Sequence, residues 1–124
     1  MYTSYFALQS KLLNSGYTNL VSIAGKSPKF FNPSKNIYLK EYKTLAPKYW
    51  WWKKWKDENL GEQCYIDMYY KTVLDRLNPF EVYKELGSNA VLLCYEKPNE
   101  FCHRHIVADW LFRTTGNKIV EIVL

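Results

Sequence analysis

Apolar positions in this chain alternate between short runs and helical stripes, and the alternation predicts the elements. Met1–Phe6 opens with Tyr2, Thr3, Tyr5 and Phe6, residues that favour strands; Ala7–Ser15 then sets Leu8, Leu12 and Leu13 at helical spacing before Gly16 stops the helix. Asn19–Ala24 is a second apolar run and ends at Gly25-Lys26-Ser27-Pro28. Strand, helix and strand at this spacing predict a right-handed parallel unit. After Gly61, the stretch Glu62–Leu77 carries Ile66, Tyr69 or Tyr70, Val73 and Leu77 on one helical face. Asn78-Pro79-Phe80-Glu81 supplies a cap, a first-turn proline and a third-position glutamate for another helix, which closes at Gly87. Ala90–Tyr95 is a short apolar run typical of a strand covered on both faces. The polar connection Glu96–Asn99 follows, with Asn99 as the expected cap of a helix that starts at Glu100, Phe101 and Cys102 and ends at Gly116. Lys118–Leu124 supplies a fourth strand near an edge. The sum is an α/β fold: one three-layer domain over residues 1–124, with about four mostly parallel strands and flanking helices.

Charge changes the picture in one place. Residues 26–56 hold nine lysines against the single acid Glu41 and carry nine aromatic side chains; their balance of +8 leaves the rest of the chain at −3 within a total of +5. This segment, extended to residue 60, reads as a basic, aromatic-rich excursion from the domain, with a loop around Pro33 and a short helix from Pro47 through Lys56. Its Lys-Tyr-Trp-Trp-Trp-Lys-Lys-Trp-Lys run admits two readings. Trp50 and Trp51 stack on bases while the lysines meet phosphates; or Trp51, Trp52 and Trp55 form the buried side of an amphipathic helix whose lysines are solvated. Three consecutive tryptophans cannot all face inward, so Trp50 is expected to be accessible.

Candidate chemistry gathers at the strand and helix around residue 100. A cysteine in the first helical turn sits among unpaired amides at the positive end of the helix dipole, so Cys102 beside His103 and Arg104 is a candidate nucleophile. His103 is the nearby base, Glu96 a second acid–base group, and Arg104 an oxyanion or phosphate clamp. The duller assignments are Cys94 and Cys102 as core residues, Arg104 as a structural ion-pair donor, for example to Glu96, and His105 bonded to Asp109 four positions on. Ligands of an open parallel sheet bind beyond the carboxyl ends of the strands, which adds Ser22 and Lys26 to the same rim and favours an anionic guest.

The stretch Leu92-Leu93-Cys94-Tyr95-Glu96-Lys97-Pro98-Asn99-Glu100-Phe101-Cys102-His103-Arg104-His105-Ile106-Val107-Ala108-Asp109-Trp110-Leu111 resembles the C-terminal signature of the family known as domain of unknown function 488. The resemblance implies an α/β fold with parallel strands and a site near Cys94, Glu96, Cys102, His103 and Arg104, and it implies no established reaction. Relatives are expected to carry Gly-His after the first strand and Asp-x-Arg near the end of the second; here Thr3-Ser4-Tyr5 and Ser22-Ile23-Ala24 stand in those places.

Three function classes follow. The first is an enzyme-like site at the Cys-His-Arg helix start, acting on an anionic small molecule, a nucleotide or a nucleic acid. The second is a non-catalytic nucleic-acid-binding module built on the Lys/Trp-rich segment. The third is a zinc-stabilised domain drawing on Cys94, Cys102, His103 and His105. Its spacing is poor, with no CxxC pair and the two histidines on opposite helix sides, so no metal ligand is assigned and no cofactor is expected. Three cysteines at unrelated spacings form no disulfide framework and no basic-plus-apolar leader opens the chain, so a reducing cytoplasm is expected. No apolar run approaches the ~20 residues of a membrane span.

Overall fold

The computed structural model describes residues 1–124. Five parallel strands form one sheet in the order β3-β2-β4-β1-β5: β1 (Tyr2–Tyr5), β2 (Leu20–Ser22), β3 (Leu39–Glu41), β4 (Val91–Cys94) and β5 (Val120–Glu121). The helices are α1 (Gln9–Asn14), α2 (Tyr49–Glu58), α3 (Glu62–Thr72), α4 (Pro79–Leu86) and α5 (His103–Thr115). All pairings run parallel, with Tyr5 opposite Cys94 and Ser22 opposite Leu93. The domain is therefore α/β as the sequence predicts, with one strand more than expected.

Central strand β4 is buried along its whole length because both faces are covered. Val91 and Leu93 pack with Leu12, Leu20 and Phe31 on the α1 side, whereas Ala90 and Leu92 pack with Val82, Leu86, Val107 and Leu111 on the α4 and α5 side. Each fully buried leucine here contributes ~2 kcal/mol of transfer free energy. The two-residue side-chain period of a strand carries Cys94 to the face that α5 covers.

Local chemistry sets several boundaries as expected. Asn78 caps α4 by accepting from the amides of Phe80 and Glu81, with Pro79 in the first turn, and Gly116 ends α5 in the left-handed conformation. Others shift. The helix expected from Pro47 begins at Tyr49, and the helix expected through Leu77 breaks after Thr72 into a short 3₁₀ turn, Leu74–Arg76. The largest correction falls beside the site: Asn99 does not cap α5. Extended backbone continues to Cys102, which is itself the cap residue at φ −154°, and the helix starts at His103.

Candidate functional site

An aromatic cleft of about 630 Å³ opens at the carboxyl ends of β2 and β4, a size ordinary for a small-ligand site. Ala24 and Gly25 line it after β2, and Cys94 and Tyr95 at the end of β4. Tyr49, Trp52 and Trp55 from α2, Tyr65 from α3 and Phe101 before α5 form its aromatic walls. Tyr65 holds this wall together: its ring meets Trp51, Trp55 and Phe101 edge-on, with centroids 4.9, 4.9 and 5.1 Å away. Burial and the nearby Glu96 charge push the Tyr65 phenol far above its ordinary value, so it stays protonated. Lys26 and Glu96 stand exposed at the rim, and Cys102 and His103 form part of the lining.

At the deep end the Cys94 and Cys102 sulfurs meet across eight positions, because the loop between them brings the end of β4 and the start of α5 together, with the Cα atoms 7.2 Å apart. Cys94 is therefore more than the core residue the strand pattern implies, and it shares the site with Cys102; Cys64 is not part of the pair. The imidazole of His103 is buried and doubly engaged. Its Nε2 lies 2.7 Å from the Ile23 carbonyl, which only accepts, so Nε2 carries the proton and Nδ1 keeps a lone pair facing Cys102 Sγ at 3.9 Å. Burial, helped by the charges of Arg104 and His105, pushes His103 from 6.5 down to about 4 despite the Ile23 bond.

Arg104 is fully buried and turned away from the cleft mouth. Its Nε and Nη2 donate to the Glu121 carboxylate at 3.1 and 2.9 Å, and Nη1 donates to the Glu96 carbonyl at 2.7 Å and to Cys94 Sγ at 3.0 Å. Four of its five N–H donors are thus satisfied internally. Burial pushes the Glu121 carboxyl up, but the bonds from Arg104 and Thr3 outweigh it and hold the group below its ordinary value. The geometry gives Arg104 the structural pairing, with Glu121 rather than the side chain of Glu96, in place of a clamp on a guest.

Other expected residues lie elsewhere. The Ser22 hydroxyl is buried against Ser27 at 2.7 Å and does not line the cleft. Trp51 is buried and donates from Nε1 to Thr72 Oγ1 at 2.8 Å, so it has no open face for a base. Trp50 is 67% exposed but outside the cleft. Asp109 pairs with Arg113 at 3.0 Å instead of with His105, whose Nε2 is buried without a partner. Cys94, Cys102 and His103 bring potential metal donors within 4.8 Å of one another, whereas His105 of the expected zinc set is not in that group. The wall residues Tyr65 and Phe101 escaped the sequence reading; the four-residue spacing of Tyr65, Tyr69 and Val73 was the signal that marks the inner face of α3.

A parallel α/β sheet with a cysteine–histidine cleft at its carboxyl edge defines the class. Within that class, residues 14–115 match the family described as the active DUF488-N3 subclade, and the chain belongs to that family. No curated protein and no solved structure matches the chain.

Proposed function

We propose that the chain is an enzyme-like protein whose aromatic cleft takes a planar, negatively charged ligand of the nucleotide class and sets it above a sulfur–imidazole pair. The observation that carries this reading is the arrangement of Trp52, Trp55, Tyr65 and Phe101 around a cleft that ends on Cys102 and His103. A flat ring gains stacking on such walls, while exposed Lys26 at the rim suits a phosphate. With both sulfurs reduced, the His103 Nδ1 lone pair faces the Cys102 thiol at 3.9 Å, a pairing that suits a nucleophilic sulfur. Arg104 enters as a scaffold residue.

Tryptophan fluorescence of the full chain, titrated with the four nucleoside monophosphates, tests this. Saturable quenching is expected, weakened at least tenfold in Trp52→Ala, weakened also in Lys26→Ala and unchanged in Trp50→Ala. Absence of saturable quenching by any of the four removes the reading.

A second reading is favoured by the exposure of Trp50, 67%, outside the cleft and beside the lysines of α2. There the outer face of α2 binds single-stranded nucleic acid without chemistry. Its mark is salt-dependent retention of an oligonucleotide, lost when Lys53 and Lys54 are neutralised and kept in Trp52→Ala.

A further inference from the structure

We infer that Cys94 and Cys102 are a reversible dithiol–disulfide couple that exchanges with small aromatic disulfides, with Cys94 as the attacking sulfur. The inference rests on the preceding reading only for the cleft as the way in; it needs no nucleotide.

The two sulfurs have unequal surroundings. Cys94 Sγ receives a hydrogen bond from the Arg104 guanidinium at 3.0 Å, and a donor of this kind stabilises thiolate over thiol. Part of the Arg104 charge is already met by Glu121, so what favours the Cys94 anion is chiefly the N–H aimed at it. Cys102 Sγ has no cation in contact; it faces the unprotonated Nδ1 of His103, a proton acceptor. One sulfur is thus set up to hold negative charge and the other to give up a proton, which is the division of labour that thiol–disulfide exchange requires.

The exchange balances. In the reduced chain the Cys94 thiolate attacks one sulfur of R–S–S–R, forming Cys94–S–S–R and expelling R–S⁻. The Cys102 thiol attacks Cys94 Sγ; the Cys94–Cys102 bond forms, the second R–S⁻ leaves, and the Cys102 proton goes to an expelled R–S⁻. The substrate disulfide is reduced to two thiols and the protein dithiol is oxidised, and a small thiol reductant reverses the sequence.

Access selects the substrate class. Cys94 and Cys102 are only 1% and 4% exposed, yet both line the cleft, so a sulfur can arrive only on a molecule that fits about 630 Å³ between aromatic walls. A disulfide embedded in a folded protein does not fit. A small disulfide with flat, acidic substituents does, its charge meeting Lys26.

The test uses the full chain in a Cys64→Ser background, reduced and then mixed with dithiobis-nitrobenzoate. Two aromatic thiolates per chain are expected, with peptide mass mapping showing Cys94 joined to Cys102. With Cys102→Ser added, one thiolate is expected, and the aromatic thiol stays trapped on Cys94; serine also serves as a helix cap, so the fold is kept. With Cys94→Ser added, reaction is expected to slow at least tenfold. In the Cys102→Ser chain, Arg104→Lys is expected to move the pH at which Cys94 becomes half-reactive upward. Faster labelling of Cys102 than of Cys94, two mixed disulfides without an internal one, or one zinc ion per chain blocking both thiols would each overturn the inference. Nucleotide titration of the same samples separates the two readings: exchange without nucleotide binding sinks only the earlier one, and binding without exchange only this one.

Discussion

Arg104 grips Glu121 with two parallel hydrogen bonds, Nε to Oε1 at 3.1 Å and Nη2 to Oε2 at 2.9 Å, and the arginine is wholly buried while the carboxylate is 21% exposed. Thr3 Oγ1 donates to the same carboxylate, so one ionic cluster fastens α5 to β1 and β5. Removing one member leaves the other charge without its partner. Arg104→Ala is expected to lower unfolding free energy by ~3 kcal/mol, whereas joint replacement by Met at 104 and Leu at 121 recovers most of it. Urea unfolding midpoints of the three chains check this. Because the folded Glu121 carboxyl titrates below its ordinary 4.5, the cluster contributes above that value and its contribution is lost as pH falls through the lower folded one.

The tryptophan run divides sharply by burial. Trp51→Phe removes the bond to Thr72 Oγ1 and part of the contact with Tyr65, and is expected to cost ~2 kcal/mol. Trp50→Ala, at a residue two-thirds exposed, is expected to change stability by under ~0.5 kcal/mol. Equal losses from the two variants in chemical denaturation would show that α2 is rotated from the orientation described.

What the sequence made legible were features decided within a few residues. Asn78-Pro79, Gly116 and the apolar run of β4 act locally, and each appears where the pattern places it. Strand β3 was not legible: only Leu39 of its three residues is buried, so there is no alternation, and its identity comes from pairing with β2. The start of α5 moved because Asn99 is a good cap only as a weak local preference, and the chain stays extended through Cys102. Glu121 lies 17 positions from Arg104, and only the strand order β4-β1-β5 brings it within reach. Of the site, the Cys-His pair was visible in the sequence, but the aromatic walls needed the packing of α2 against α3.

Gly87 gives a backbone prediction. Its φ of +92° is one that side-chain-bearing residues rarely adopt, and an added Cβ would lie 3.2 Å from Asn89 Oδ1 and 3.3 Å from Asn19 Nδ2. Gly87→Ala is expected to cost ~2 kcal/mol, more than the ~1 kcal/mol of Asn78→Ala at the other end of the same helix. Thermal or urea unfolding orders the two variants, and a larger loss at Asn78 contradicts the strain argument.

His103 ties the site to pH. Folding lowers its value from 6.5 to about 4, chiefly through burial, so between those values the unfolded chain binds a proton that the folded chain refuses. Stability is therefore full above about pH 6.5 and falls as pH drops toward 4, by roughly 3 kcal/mol from this residue. His105, lowered in the same direction by its partial burial, adds to the slope. In His103→Gln the steeper part of the slope between pH 4 and 6.5 is expected to vanish. The Ile23 carbonyl makes a further demand, since it accepts only if Nε2 bears the proton. Nitrogen-detected NMR of the labelled ring is expected to show protonated Nε2 and bare Nδ1 from neutral pH down to about 5. A proton on Nδ1 at neutral pH would leave Cys102 without the lone pair that faces it, and titration near 6.5 would contradict the burial argument.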